Sequence, residues 1–224
     1  EDTHVARLWR GAVGHGATLL EAHFPRAYVD ANRSLEDIDP ALFADGERWP
    51  GPVEQTRKTE QGIGLVWRLA RGGVPMYARA LSVDEVERRI RTCWHPYHEA
   101  LARALDERHL AFGAVWHVNC HSMPAVSGVI SEEGPGKARA DFVLGDRDGT
   151  TCDPDFTAFV ARTLTDMGYG VKVNDPYKGV ELVRAFSDPA AGRHSLQIEA
   201  NRRLYMDERT GRKSPGFERL AADI

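Results

Sequence analysis

An α/β fold, a mixed or mostly parallel sheet with helices on its faces, is predicted by three features of this sequence. Short apolar runs alternate with stretches of helical periodicity, the pattern of strand–helix–strand units. No internal repeat or break in composition marks a linker, so a single domain over residues 1–224 is expected. At 42% hydrophobic, the 224 residues can bury a full core without disulfides.

The elements follow in order. Residues 2–13 place Val5, Leu8, Trp9 and Val13 on one helical face. "ATLLEAHF" and "AYVDAN" read as short strands, and 39–53 as a long loop with proline and glycine. Ser82 and Glu85 form a capping-box pattern that opens one long helix through "ERRIRTCWHPYHEALARALDERH", with a bend expected at Pro96. "AFGAVWHVNC" reads as a buried strand and "ADFVLGD" as another. Asp153 caps the next helix, Pro154 takes its first position, and Gly168 stands past its end. "YGVKVND" and "HSLQIEAN" supply two further strands. The chain opens on Glu1, inside what reads as a helix, and "SPGFERLAADI" starts a helix without a stop. Parts of both native termini are therefore expected to lie outside it.

Composition excludes several roles. The net charge is −4 with scattered basic residues, which argues against a nucleic-acid surface. No apolar run approaches the ~18 residues of a membrane span, and no signal peptide opens the chain. Cys93, Cys120 and Cys152 are odd in number and lack C-x-x-C spacing, which fits a reduced, cytoplasmic setting.

The stretch "WHVNCHSMPAVSG" sets Cys120, His121 and Ser122 side by side, as a nucleophile with its base or as one ligand of a metal. Neighbours on a strand point to opposite faces, so Cys120 is poorly placed to pass a proton to His121 and reads as packing. Ser122 lacks the G-x-S-x-G setting of a nucleophile elbow and reads as a turn hydroxyl. His121 falls at a strand end, where α/β sheets gather ligands and catalytic groups. "QIEANR" places Glu199 between Ile198 and Ala200, and a carboxylate buried there is normally paired or used. Asp30, Asn32 and Arg33 mark another expected strand end; Asn174, Asp175, Tyr177 and Lys178 mark a third. Two stretches compete. His95, His98 and Glu99 could hold a metal on one helix face, though Pro96 spoils the geometry and packing is the better reading. "DFVLGDRDGTTCDP" has calcium-loop spacing without the closing Glu and reads as a polar turn.

Six stretches, "EDTHV", "FPRAYVDANR", "CHSMP", "DFVLGDRDG", "NDPYKG" and "QIEANRRLYMDE", run in one order across nearly the whole chain. Together they resemble the N-formylglutamate amidohydrolase family. The resemblance implies a three-layer α/β fold similar to zinc carboxypeptidases, with helices on both faces of the sheet. It implies metal-dependent hydrolysis of N-formyl-L-glutamate to formate and L-glutamate, late in histidine breakdown. The cofactor implied is zinc or another divalent transition metal.

By position, the family's C-H-S ligand matches His121, and its acidic ligand matches Asp2, with Glu1 second. An early P-H-S-G-like histidine has no counterpart; His15 in "VGHGA" comes too late. Glu199 matches the general base and Tyr177 a substrate-side tyrosine. Asn32 and Arg33 match a carboxylate-binding pair, with Arg26 and Arg202 as further candidates for a substrate with two carboxylates. The expected partner is thus a small N-acyl amino acid, with neither nucleic acid nor membrane involved. Three alternatives remain open: a related zinc amidase for another N-acyl amino acid or small peptide, a non-catalytic binder of acidic small molecules, and a cysteine hydrolase using Cys120.

Overall fold

The computed structural model describes residues 2–70, 72–129, 131 and 133–224. They gather into two compact units. The first comprises the described residues of Glu1–Glu21 and Ala104–Ile224; the second is Ala22–Arg103.

The first unit is a mixed α/β structure around a four-stranded sheet. Strand β1 is Val115–Met123, β2 Phe142–Gly145, β3 Val171–Val173 and β4 Arg193–Asn201. The spatial order is β1-β4-β2-β3. β1 runs parallel to β4 and β2 parallel to β3, while β2 is antiparallel to β4. All four strands were expected, but β1 continues to Met123 rather than ending at Cys120, so His121 lies within the strand and not at its end.

Period two divides the sheet's faces. Leu196, Ile198 and Ala200 of β4 join Phe142 and Leu144 of β2 in one core, with Leu8, Leu164, Tyr205, Phe217 and Leu220. Each leucine, isoleucine or phenylalanine among them contributes about 1.5–3 kcal/mol when fully buried. The intervening β4 residues, Ser195, Gln197, Glu199 and Asn201, are polar yet buried.

Helix Pro154–Asp166 covers the core face with Phe156, Val160 and Leu164. Its start matches expectation: the Asp153 side chain accepts from the Asp155 N–H, and Pro154 is the first helical residue. Gly168 follows at φ +93°, a conformation that favours glycine. The N-terminal segment is helical at Val5–Leu8 and continues as a 3-10 turn at Trp9–His15. Phe217–Asp223 is the last helix.

Residues 17–24, whose first five belong to the first unit, and residues 27–32 of the second unit differ from expectation: neither stretch is a strand. Around Asp30 the backbone bonds locally instead. Asp30 Oδ1 accepts the Asn32 N–H at 2.9 Å, and the Arg33 N–H donates to Asp30 O. A short acidic side chain that satisfies its own backbone favours turns over ladders. Val29, Ile38, Leu42, Leu65, Val66, Leu81, Val86 and Ile90 form this unit's core.

The expected long helix forms, but its irregularity precedes Pro96. Val83–Arg89 is α-helical, Ile90–Trp94 is a π turn, and His95–Phe112 is α-helical again. Pro96 has no N–H to donate to the Thr92 carbonyl, and its ring would crowd that oxygen. Widening the preceding turn accommodates both problems. Ser82 caps the start by accepting the Glu85 N–H at 3.2 Å.

Candidate active site

The site is built where β1 and β4 run side by side. In their parallel register His117 lies opposite Ser195, Asn119 opposite Gln197, and His121 opposite Glu199. Register partners share a face, so these six residues form a polar column on the side away from the core. His117 Nδ1 and Ser195 Oγ are 2.7 Å apart, and Gln197 Nε2 donates to Glu199 Oε1 at 3.0 Å. His121 and Glu199 are 7% and 8% exposed, so both are largely shielded from bulk water.

Both nitrogens of His121 are engaged. Nε2 is 2.8 Å from Asn119 Oδ1, and Nδ1 is 2.9 Å from Asp2 Oδ2. An amide oxygen only accepts, so Nε2 carries a proton. Nδ1 then faces a carboxylate, an arrangement that calls for positive charge between the two: a second ring proton or a cation. Asp2 is itself fixed, its Oδ1 accepting the Ser122 N–H at 2.7 Å and the Ser122 hydroxyl at 3.1 Å. The Thr3 carbonyl accepts the Tyr205 hydroxyl at 3.0 Å, and His4 Nε2 donates to Gly211 O, holding the segment in place.

Imidazole and carboxylate are the donor types zinc takes, at about 2.0–2.2 Å from the metal. Two ligands at a tetrahedral angle would then stand roughly 3.4 Å apart, a small opening of the present pair. His121 and Asp2 fit a divalent metal on those grounds, with Asn119 fixing the ring by its far nitrogen. Among the described residues no cluster of three or more His, Cys, Asp and Glu side chains forms. Glu1, the second choice for the acidic ligand, lies outside the described residues.

Other side chains approach the column. Burial, together with the Glu199 charge and against the Arg139 charge, pushes the Tyr177 hydroxyl up to about 12, so it keeps its proton. The Arg139 guanidinium lies 5.1 Å from the centre of the Tyr177 ring. Arg202 Nε donates to Ser122 Oγ at 3.1 Å. Asp2, His121, Glu199, Tyr177 and Arg202 thus belong to one unit and one neighbourhood.

Arg26, Asn32 and Arg33 lie in the second unit. Arg26 grips Asp30 Oδ2 through Nε at 3.2 Å and Nη2 at 3.0 Å. The carboxylate within ion-pair distance of Arg33 Nε is Asp37, at 3.5 Å, and the charge of buried Asp30 also acts on Arg33. Arg33 is 8% exposed, and its Nε makes no hydrogen bond.

Cys120 is unsuited to nucleophilic work. Burial, reinforced by the Asp2 carboxylate, pushes its thiol well above the ordinary range, whereas a nucleophilic cysteine needs the reverse. Ser122 serves Asp2 and Arg202. The competing His95–His98 face is packing: His98 stacks on Trp94 with ring centres 3.6 Å apart. The acidic turn is held by Asp146 Oδ1, which accepts from Gly149 N and Asn174 Nδ2.

Sequence reasoning missed Asn119 and Gln197. Each stands two residues before a group it had singled out, on the same strand face, and that spacing was the available signal. Ser122 as the anchor of Asp2 carried no signal, because the contact spans 120 positions.

A sequence model of the N-formylglutamate amidohydrolase family matches residues 1–206. N-formylglutamate deformylase of Pseudomonas aeruginosa is 30% identical over 211 residues, 92% of this chain and 71% of that protein. Its Pseudomonas putida counterpart is 29% identical over 210 residues, with the same shares. The crystal structure of N-formylglutamate amidohydrolase from Ralstonia eutropha covers this whole chain with 79% of its own, at 48% identity and TM-score 0.94. A gene product of Agrobacterium tumefaciens, 16% identical with TM-score 0.52 over 82% of this chain and 63% of its own, shares the fold.

Proposed function

Because this chain belongs to the N-formylglutamate amidohydrolase family, and so to hydrolases of an amide bond, we propose that it cleaves N-formyl-L-glutamate to formate and L-glutamate in a metal-dependent reaction. The carrying observation is His121 in direct register with Glu199, with the Asp2 carboxylate on the His121 ring. His121 and Asp2 would hold the metal, zinc by preference. When bound, the ion polarises the formyl carbonyl and makes water acidic enough to attack near neutral pH.

The chain's residues supply the rest. Glu199 accepts the proton of the attacking water and returns it to the departing amine. Gln197 fixes Glu199 Oε1 for that exchange. Tyr177, protonated at neutral pH, donates a hydrogen bond to the substrate. Arg33, with Asn32, binds the α-carboxylate by the planar grip of its guanidinium. Arg202 is the candidate for the second carboxylate; Arg26, committed to Asp30, is the weaker choice. The reading places the fold with the zinc carboxypeptidases and the reaction in the cytoplasm, in histidine degradation. Among the described residues no helix is long and apolar enough to cross a membrane.

The test is formate release from N-formyl-L-glutamate by purified protein, before and after chelation and zinc return. Turnover that chelation abolishes and zinc restores supports the reading. Unchanged turnover in verified metal-free protein rejects the metal, and turnover confined to other N-acyl amino acids moves the substrate.

A further inference from the structure

The second unit carries a contact that the reaction itself does not require. Trp94 and His98 stack face to face, ring centres 3.6 Å apart and planes 16° from parallel. Each ring donates a hydrogen bond to one backbone carbonyl. Trp94 Nε1 donates to Arg33 O at 3.0 Å, and His98 Nε2 reaches Ala31 O at 2.8 Å. A carbonyl only accepts, so His98 carries its proton on Nε2. The two carbonyls flank Asn32 and Arg33, so the stacked pair pins that dipeptide from both ends.

The preceding π turn brings these rings to the right side. In a regular α-helix every four-residue step overshoots one turn by roughly 40°. Val86 and Ile90 face the core, and two further regular steps would carry Trp94 and His98 progressively away from that direction. The wider turn at Ile90–Trp94 takes the drift back and keeps all four residues near one face. Buried Arg33 donates Nη1 to the Asn32 carbonyl at 3.3 Å and keeps Asp37 3.5 Å from Nε, so its guanidinium is held partly by the same backbone that the stacked pair fixes.

We propose that Trp94 and His98 are positioning residues for substrate carboxylate binding, holding the backbone of Asn32 and Arg33 so that the guanidinium meets the carboxylate at the correct angle. The proposal rests on the functional reading above, in which Arg33 and Asn32 bind a substrate carboxylate.

The experiment compares Trp94→Phe, which keeps a ring and removes the N–H, with His98→Leu and His98→Gln, the last retaining a donor. Steady-state kinetics are measured on N-formyl-L-glutamate and on its α-amide, L-glutamate binding by calorimetry, and folding by circular-dichroism melting. Trp94→Phe and His98→Leu should raise KM for N-formyl-L-glutamate tenfold or more, with a much smaller change in kcat. L-glutamate binding should weaken in parallel, the α-amide should show little further loss, and His98→Gln should return within about threefold of wild type. Folded variants with unchanged KM and L-glutamate binding overturn the proposal, as do equal losses on both substrates. Variants that all fail to fold, His98→Gln included, assign the pair to folding alone and also overturn it. Absence of turnover by the zinc-loaded wild type fails the functional reading instead. The calorimetric comparison then still decides whether the pair governs carboxylate binding.

Discussion

His121 on β1 stands directly across from Glu199 on β4, so a ring nitrogen and a carboxylate share one buried face of a parallel strand pair. Removing the proton acceptor while keeping its shape tests that relationship. Glu199→Gln should retain bound zinc and lose roughly 10²–10⁴ in kcat, the usual scale of general acid–base help. A variant within threefold of wild type would place the base elsewhere.

Asn119 should govern metal affinity without touching the metal. It accepts from His121 Nε2 and so leaves Nδ1 to face Asp2. Asn119→Leu should weaken zinc about 10–100-fold in chelator competition, the scale for an outer-shell partner. Asn119→Asp, which still accepts, should stay near wild type. His121→Ala should lose both zinc and turnover.

Arg33 separates substrate binding from architecture. If it grips a carboxylate, Arg33→Ala should cost about 2–5 kcal/mol in kcat/KM on N-formyl-L-glutamate, with zinc content unchanged. Arg33→Lys should recover only part, since an ammonium lacks the two-pronged grip. The loss should shrink on the α-amide. Unfolding of Arg33→Ala would instead make the Asp37 contact the main role of this side chain.

His117 predicts a pH dependence of stability. Burial, aided by the charge of His121, lowers its pKa to about 4 from an ordinary value near 6.5. The neutral ring is favoured in the fold, so the stabilisation is complete above pH 6.5 and is lost as pH falls toward 4, where the unfolded chain binds the proton first. The contribution is roughly 3 kcal/mol at most. His117→Gln should flatten the change in thermal stability between pH 6.5 and 4. An unaltered slope would assign it to other groups.

The first unit was more legible in the sequence than the second. Apolar runs exposed β1 and β4, and Asp153, Pro154 and Gly168 bounded a helix because capping is local chemistry. The register that joins His121 to Glu199 links residues 78 apart, and no local pattern encodes it. Residues 17–24 and 27–32 carry strand-like apolar content, yet 27–32, in the second unit, is organised by Asp30 and its contacts with Asn32, Arg33 and Arg26. The π turn was equally hidden. Proline announced an irregularity, and the shape it took depended on the packing of Val86, Ile90 and Trp94.

The two-faced strand β4 sets how this protein can change over generations. Leu196, Ile198 and Ala200 can exchange with other apolar residues of similar volume, because their face meets only the core. Loss or gain of a single residue between 193 and 198 is another matter. It would turn Glu199 toward the oil and Ile198 toward the polar column, since a one-residue slip sends every side chain to the opposite face. Descendants of this sequence should therefore vary freely in spelling along β4 while its length stays constant, and length changes should collect in the surface turns.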